Sequence, residues 1–366
     1  MITNTFSVYA AENDDVIMTA DDFPLSTNPV PWVAIYDTKG QMMGAQLAEI
    51  NEHGLQVKFP RNQCRRISSA KAFYLDSMTC VPQKACLPIS LKGAVICPDE
   101  IYQPGVLTGE SFPYRGQMIP VYKGVETNPF SQNDFRWSPE YPDRLEYAGN
   151  SCCSEFGIDV SAFQNRASEN QNIDWDAVAR DGVSFVFVRI GFRGTSTGKI
   201  YEDAYYQQNI RGAKNAGLET GVYFFSQAVS VEEALEEADF VIACLKNEQI
   251  NGPVVFDWEM RNSSCRVHNT SAEMATACAV AFCKRIENAG YQAMTYGGQY
   301  VNYLKYDQGA IDSYDRWYAE YKGDQSEFLY PTFYYRPDYW QFSSKCMVNG
   351  IGNRVDGNLR FTECGC

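Results

Sequence analysis

The chain has 366 residues, of which 45% are hydrophobic and 21% are charged, and its formal net charge is -14. This composition is typical of a folded protein with room for two domains and argues against intrinsic disorder. The acidic excess argues against nucleic acid as a partner, because phosphate binding needs clustered Lys and Arg. No apolar run approaches the ~18 residues of a membrane span, and no basic-then-apolar signal segment opens the sequence, so neither feature is predicted.

Cysteine and histidine usage limits the chemistry further. The 13 cysteines include no Cys-x-x-Cys pair, which weakens zinc-site and redox interpretations. Cys152-Cys153 and Cys364-Gly365-Cys366 are typical of disulfides or free thiols, and the spacing leaves their connectivity open. Only His53 and His268 are present, so carboxylates must carry most proton transfer. We expect no metal and no cofactor.

Residues 1–97 read as short strands joined by turns. Trp32 to Tyr36, a turn over residues 37–40 and Gln41 to Met43 predict a hairpin, and Leu55, Val57 and Phe59 alternate with polar neighbours. This spacing predicts a small β-sandwich domain. Residues 70–77 also resemble the last strands of the immunoglobulin-like or fibronectin-like modules of bacterial surface hydrolases, which implies an accessory domain that binds cell wall or protein.

Residues 98–152 differ from the preceding segment in composition. Seven prolines, at positions 98, 104, 113, 120, 129, 139 and 142, disfavour helices and central strands. The many aromatic residues of this segment argue against a free tether. The sequence predicts an extended connector that lies along the surface of a domain.

From residue 153 the pattern becomes regular, and residues 153–366 are predicted to form one domain. Strands that begin at residues 183, 218, 253 and 291 each follow a glycine, and their spacings are 35, 35 and 38 residues. That spacing fits a strand plus a crossover helix, so these strands are predicted to be parallel. Ser230 to Glu233 forms a capping box at the start of one such helix.

A strand over Phe156 to Val160 precedes these units, and three strand-like segments follow them at residues 316–320, 338–342 and 353–356. The fold class is therefore α/β, and the prediction is an irregular TIM-like β/α barrel of five βα units plus three strands. An open doubly wound sheet is the alternative, but the glycine-rich dinucleotide fingerprint is missing after the first strand.

The stretch Pro253 to Glu259 contains the most informative motif. Asp257 and Glu259 are two positions apart on a strand, so their side chains face the same side while Trp258 faces the other. Two carboxyls held so close tend to have different pKa values, which suits acid-assisted cleavage of a glycosidic bond. The motif alone also allows a divalent-metal site or a helix cap.

Other candidate residues belong to the same rim, because the strand ends of a parallel barrel face one cavity. Each of them alone could also have a structural role. They are Asp159, Arg189, Phe225, Tyr296 and Asp356.

Several short blocks follow one another in order along residues 155–360. They are Gly157-Ile158-Asp159-Val160-Ser161, Ile173-Asp174-Trp175, Phe187 to Gly191, Asn209 with Ala213 to Gly217, Gly221 to Ser226, Asp257-Trp258-Glu259, Trp340-Gln341 and Val355-Asp356-Gly357-Asn358. Together these blocks resemble glycoside hydrolase family 25, the lysozymes that cleave peptidoglycan.

The resemblance implies that Glu259 is the general acid and then the general base. It implies that Asp257 assists, either as a direct nucleophile or by orienting the 2-acetamido group of the substrate. Substrate binding would involve the family acids Asp159 and Asp356, the stacking aromatics Tyr223 and Trp340, and the rim residues Arg189 and Tyr296. Family members often have histidine where Ala162 or Phe224 stands, so these contacts differ here.

The predicted function is retaining, metal-independent hydrolysis of the β-1,4 bond between N-acetylmuramic acid and N-acetylglucosamine in bacterial peptidoglycan. The alternatives are a non-catalytic wall-binding module and a chitinase-like glycosidase. A substrate of this kind places the protein outside the cell or at its surface.

Overall fold

The computed structural model describes residues 5–10, 15–20, 32–36, 41–51, 54–60, 69–73, 87–92, 101–166, 172–323 and 326–362. The chain forms two compact units, Met1–Ile101 and Tyr102–Cys366. The boundaries drawn at residues 98 and 153 from the sequence stay predictions.

The N-terminal unit contains eight strands joined in the order β4-β3-β7-β8-β1-β2-β6-β5. All pairings are antiparallel except the parallel pair β1 and β8. The predicted hairpin is confirmed, because β3 pairs antiparallel with β4; residues 37–40 lie outside the described residues. The sandwich packing and the module resemblance stay predictions. The strands are β1 (Thr5–Ala10), β2 (Asp15–Ala20), β3 (Trp32–Tyr36), β4 (Met42–Leu47), β5 (Glu49–Asn51), β6 (Gly54–Pro60), β7 (Ser69–Phe73) and β8 (Leu87–Lys92).

Residues 102–152 belong to the same compact unit as the barrel. They form two antiparallel hairpins, one of β9 (Leu107–Tyr114) with β10 (Gln117–Tyr122) and one of β11 (Phe135–Trp137) with β12 (Leu145–Tyr147). Pro113 in β9 and Pro120 in β10 are compatible with these hairpins, because each strand of a two-stranded ribbon has an unpaired edge where a missing backbone N–H costs little.

Eight strands close the barrel in the order β13, β14, β16, β17, β18, β19, β20 and β21. Closure comes from β13, which pairs in parallel with β14 and antiparallel with β21. Only β21 runs against its neighbours, β13 and β20. The bounds are β13 (Cys153–Val160), β14 (Phe185–Arg193), β16 (Glu219–Ser226), β17 (Val254–Trp258), β18 (Ala293–Gly298), β19 (Asp315–Ala319), β20 (Tyr339–Cys346) and β21 (Val355–Thr362), and β15 (Ile200–Glu202) extends β14.

Helices follow the first five of these strands, so the prediction of five βα units plus three strands is confirmed. The predicted cap of α4 is also present: the Ser230 hydroxyl accepts a hydrogen bond from the Glu233 backbone N–H. No helix in the described ranges is long and apolar enough to cross a membrane. The helices are α1 (Ala162–Arg166), α2 (Trp175–Arg180), α3 (Tyr206–Asn215), α4 (Val231–Leu245), α5 (Ala272–Asn288) and α6 (Gln299–Leu304).

Large side chains fill the barrel interior, and they leave little room between β13 and β14. The Phe185 ring is buried in a cluster that includes Phe187, Trp317 and Tyr339. A Cβ atom added to Gly157 would lie 2.4 Å from that ring. Glycine at this position therefore lets the ring pack against the β13 backbone.

We predict that Gly157→Ala destabilises the protein by about 1 to 3 kcal/mol, because an added methyl group overpacks a filled interior. Urea unfolding measures the free energy of unfolding. Gly323→Ala is the matched control, since nothing lies within 4 Å of a Cβ at that position. Equal stability of both variants would contradict the packing argument.

Candidate functional site

A cavity of about 430 Å3 opens where the parallel barrel strands end. Seven of the eight site residues predicted from the sequence line it, and Phe225 lies with them. The seven are Asp159, Arg189, Tyr223, Asp257, Glu259, Tyr296 and Asp356.

The central pair of acids stands at the end of strand β17. Asp257 and Glu259 both face the cavity, as the alternation of side chains along a strand requires. Trp258 between them is fully buried, and its indole N–H donates to the Ala228 carbonyl over 2.9 Å. Gln227 Nε2 donates to the Glu259 carbonyl over 2.6 Å, which holds the chain just past the strand end. The backbone is thus fixed on both sides of the pair.

Burial raises the pKa of both acids. For Asp257 the pKa rises well above its ordinary value, first through desolvation and then through the charges of Glu259 and Asp159. Desolvation likewise raises the pKa of Glu259, and the Arg261 cation opposes that rise. Oδ1 of Asp257 is buried and has no hydrogen-bond partner among the described residues. Burial therefore favours a proton on this pair, and Asp257 Oδ1 can still contact a bound molecule.

Asp159 and Asp356 form a second acid pair, on opposed positions of β13 and β21. Burial raises the pKa of Asp159 to about 6, although hydrogen bonds from Asn358 and Gln341 act against the rise. The pKa of Asp356 rises to about 8, first through burial and then through the charge of Asp159. One proton shared within this pair relieves the repulsion between the two carboxyls.

Amide and indole groups hold Asp159 in place. Its Oδ2 accepts hydrogen bonds from Gln341 Nε2 over 2.8 Å and from Asn358 Nδ2 over 2.9 Å. Behind them, Trp317 Nε1 donates to Asn358 Oδ1 over 2.8 Å, and the Tyr296 hydroxyl donates to Gln341 Oε1 over 2.9 Å.

Sequence reasoning did not assign a site role to Gln341, Asn358, Trp317 or Tyr321, although Gln341, Trp317 and Tyr321 line the cavity. One signal was available for Asn358. It stands two residues after Asp356 on β21, and residues two apart share a strand face.

Arg189 reaches the cavity from β14 and is held by one carboxylate. Its Nε and Nη2 lie 2.9 Å and 2.8 Å from Asp203 Oδ2, which also accepts a hydrogen bond from the Ala162 backbone N–H. The guanidinium therefore has a fixed position beside the acids. Tyr223 lies nearby, with its ring 6.0 Å from that of Trp317.

The structure does not bring Trp340 to the cavity. The side chain is fully buried, its indole N–H donates to the Glu320 carbonyl, and its ring lies 5.2 Å from that of Phe135. Strand alternation explains the difference, because Gln341 faces the cavity and so turns its neighbour outward. Trp340 packs on the outer face of the barrel.

His268 is not among the residues that line the cavity. His268 lies in a 3-10 turn, Arg266–Asn269, and His53 lies outside the described residues. In the described part of the chain, no group of three or more His, Cys, Asp or Glu side chains could hold a metal ion. Buried free thiols occur at Cys152, Cys265, Cys278, Cys283 and Cys346, whereas Cys364 and Cys366 are outside the described residues.

Known proteins resemble part of this chain. Among curated proteins, the uncharacterized protein YegX of Escherichia coli K12 is 28% identical over 212 residues, which is 56% of this chain and 68% of that protein. The autolytic lysozyme of Clostridium acetobutylicum is 24% identical over 203 residues, which is 55% of this chain and 54% of that protein.

Solved structures resemble it in fold. The bacterial lysozyme from Streptomyces coelicolor has a TM-score of 0.45 and 23% identity, and the match covers 56% of this chain and 90% of that one. The spore cortex lytic enzyme SleM of Clostridium perfringens has a TM-score of 0.48 and 21% identity, and the match covers 57% of this chain and 67% of that one.

The family model of glycosyl hydrolases family 25 matches residues 158–351. This range contains Asp159, Asp257 and Glu259 and is more than half of the 366-residue chain. The N-terminal unit Met1–Ile101 lies outside it. The chain belongs to glycosyl hydrolases family 25 and is a glycoside hydrolase.

Proposed function

We propose that this enzyme hydrolyses bacterial peptidoglycan, at the β-1,4 bond between N-acetylmuramic acid and N-acetylglucosamine, with retention of configuration. The observation that carries the proposal is the pair of a buried Asp257 and a half-buried Glu259, which line one cavity and whose pKa values are both raised. Membership of family 25 supports glycosidic cleavage, and the autolytic lysozyme among the relatives supports a wall polymer as the substrate.

Glu259 acts first as the general acid. Desolvation raises its pKa, which favours the protonated form that a general acid needs. The proton passes to the glycosidic oxygen as the bond from the anomeric carbon to that oxygen breaks, and N-acetylglucosamine leaves with a new hydroxyl group. The resulting Glu259 carboxylate then takes a proton from the water that attacks the anomeric carbon, which completes hydrolysis and restores the acid.

Asp257 supports the nucleophilic attack that accompanies the first proton transfer. Either its own oxygen bonds to the anomeric carbon, or it orients the 2-acetamido oxygen of the substrate, which then forms that bond. The unpartnered Oδ1 supports a position against the substrate. Both routes invert the anomeric carbon twice and therefore retain its configuration.

The remaining lining residues bind the sugar. Asp159 and Asp356 offer hydrogen-bonding oxygens, Arg189 a fixed cation, and Tyr223 and Tyr296 ring surfaces. Because peptidoglycan lies outside the cytoplasm, we place the activity in the secreted or cell-surface compartment. The N-terminal unit is proposed as an accessory domain that binds wall or protein.

We predict that Glu259→Gln abolishes release of reducing ends from purified peptidoglycan, because an amide cannot donate the proton that the leaving group needs. Asp257→Asn should lower kcat by more than tenfold, since it removes the carboxyl group that either attacks the anomeric carbon or orients the 2-acetamido group. Turnover is measured by a reducing-sugar assay.

Glu140→Gln, at an exposed position outside the cavity, is the control for the acid-pair variants and should keep full activity. Circular dichroism of all three variants checks the fold. Full activity of Glu259→Gln, or a loss below tenfold for Asp257→Asn, would contradict the roles given to these acids.

Stability should depend on pH through the second acid pair. The pKa of Asp356 rises from 3.8 to about 8 on folding, so the folded chain binds more protons than the unfolded chain between these values. The stabilising contribution of Asp356 is fully present below pH 3.8, its pKa in the unfolded chain, and it is lost as the pH rises toward 8. We predict that Asp356→Asn lowers the difference in Tm between pH 5 and pH 8, measured by calorimetry. Asp239→Asn is the control, because Asp239 is exposed on α4, and this variant should keep the wild-type difference in Tm between the two pH values. The same Tm difference in wild type and both variants would show that protonation of Asp356 is not linked to stability.

A further inference from the structure

A second cavity, of about 440 Å3, adjoins the first. The two cavities share Glu259, Tyr296 and Tyr321, so whatever fills the second one lies beside the bond that Glu259 would protonate. Tyr300, Val301 and Arg115 add further walls. We call this second cavity the side subsite.

Arg115 comes from a part of the chain that the family match does not cover, since that match begins at residue 158. It stands between β9 and β10, and this hairpin is docked on the barrel. The Phe112 ring stacks on Tyr334 with centroids 4.7 Å apart, and the Tyr122 backbone N–H donates to the Tyr335 hydroxyl over 3.0 Å. The hairpin therefore presents its tip at a defined place.

The backbone at that tip is unusual. Arg115 has a φ of 48° and Gly116 a φ of 78°, so both central residues of the two-residue turn are left-handed. Such turns favour Asn and Gly, because other side chains are strained there. Among the described residues, Arg115 is the one non-glycine residue with a positive φ. Strain of this kind persists mainly where a side chain has a function.

The Arg115 side chain is held as a cation at the edge of the side subsite. Its guanidinium carbon lies 5.6 Å from the Tyr114 ring centroid and 5.7 Å from that of Tyr300. Both distances are within the ~6 Å reach of a cation–π contact. No carboxylate within the described ranges lies close enough to form a salt bridge with it. The cation is thus available to an anionic ligand.

We propose that the side subsite binds a carboxylate of the peptide attached to muramic acid, and that Arg115 is the residue that binds it. The proposal rests on the proposed function and names the part of the substrate that this cavity takes. The peptide is joined to the sugar next to the scissile bond, which fits a cavity that shares Glu259. Its small apolar side chains fit Val301 and Ala319, and its carboxylates fit Arg115.

Electrostatics give a reason for a cation at this position. The chain carries a formal net charge of -14, so an anionic peptide is repelled on approach. A fixed guanidinium at the entrance offsets that repulsion and recognises a carboxylate with paired N–H donors. Plain N-acetylglucosamine polymers carry no charge and would gain nothing from it.

Three glycan substrates test the proposal. The first carries peptides with free carboxylates, the second carries the same peptides with those carboxylates converted to amides, and the third has the peptides removed by an amidase, which leaves only the lactyl carboxylate. We expect Arg115→Gln to lower kcat/KM about tenfold on the first substrate, as loss of a hydrogen bond to a charged group does. On the other two, its kcat/KM should stay within about twofold of wild type.

Two further variants show whether the charge itself matters. Arg115→Lys should keep most of the preference for free carboxylates. Arg115→Gly should lose it while its Tm equals or exceeds that of the wild type, because glycine suits the left-handed turn. Arg136→Gln, in the same segment but paired with Glu146 at the surface, is the matched control and should behave as wild type on all three substrates.

An equal loss on all three substrates, no loss on any, or a loss confined to the lactyl-only strands would overturn the proposal. Failure of the proposed function gives a different result. In that case the wild-type enzyme releases no reducing ends from any of the three glycans.

Discussion

Asp356 lies directly opposite Asp159 where β21 pairs antiparallel with β13, and the rest of the site depends on this contact. Opposed like charges destabilise a sheet, and burial adds the cost of removing each carboxylate from water. Two features offset these costs. The side-chain amides of Gln341 and Asn358 donate hydrogen bonds to Asp159, and the raised pKa of Asp356 favours its uncharged form. Desolvation is the main cause of the raised pKa of Asp257 and of Glu259, and the charge of Asp159 adds to the rise in both, so this strand pairing also influences the central acid pair.

The barrel also explains the segment before it. Parallel strands are normally covered on both faces, but in the described residues no helix follows β19 or β20. Residues 102–152 supply cover on that side: the Phe135 ring lies 5.2 Å from Trp340, and the Phe130 ring lies 4.3 Å from Phe361. The same segment contributes the hairpin that ends at Arg115. A piece of chain that completes the core thus also reaches the edge of the catalytic cavity.

The sequence predicted the barrel because crossover spacing and capping residues are local signals. It predicted the four acids because they stand at strand ends, and the family resemblance assigned Glu259 its role. It could not orient Trp340, since the first five residues of β20 are buried on both faces and its register with β21 shifts after Gln341. Arg115 was also beyond reach, because only the docking of the β9 and β10 hairpin brings it near Glu259. Contacts between distant segments leave no periodic pattern.

The most direct test of a retaining muramidase is proton NMR of the first products from an oligosaccharide of alternating N-acetylglucosamine and N-acetylmuramic acid. The anomeric signals report the cleaved bond and its stereochemistry before mutarotation mixes the forms. The account predicts that muramic acid appears at the new reducing end, first as the β-anomer. A new reducing end on N-acetylglucosamine, or initial formation of the α-anomer, would contradict it.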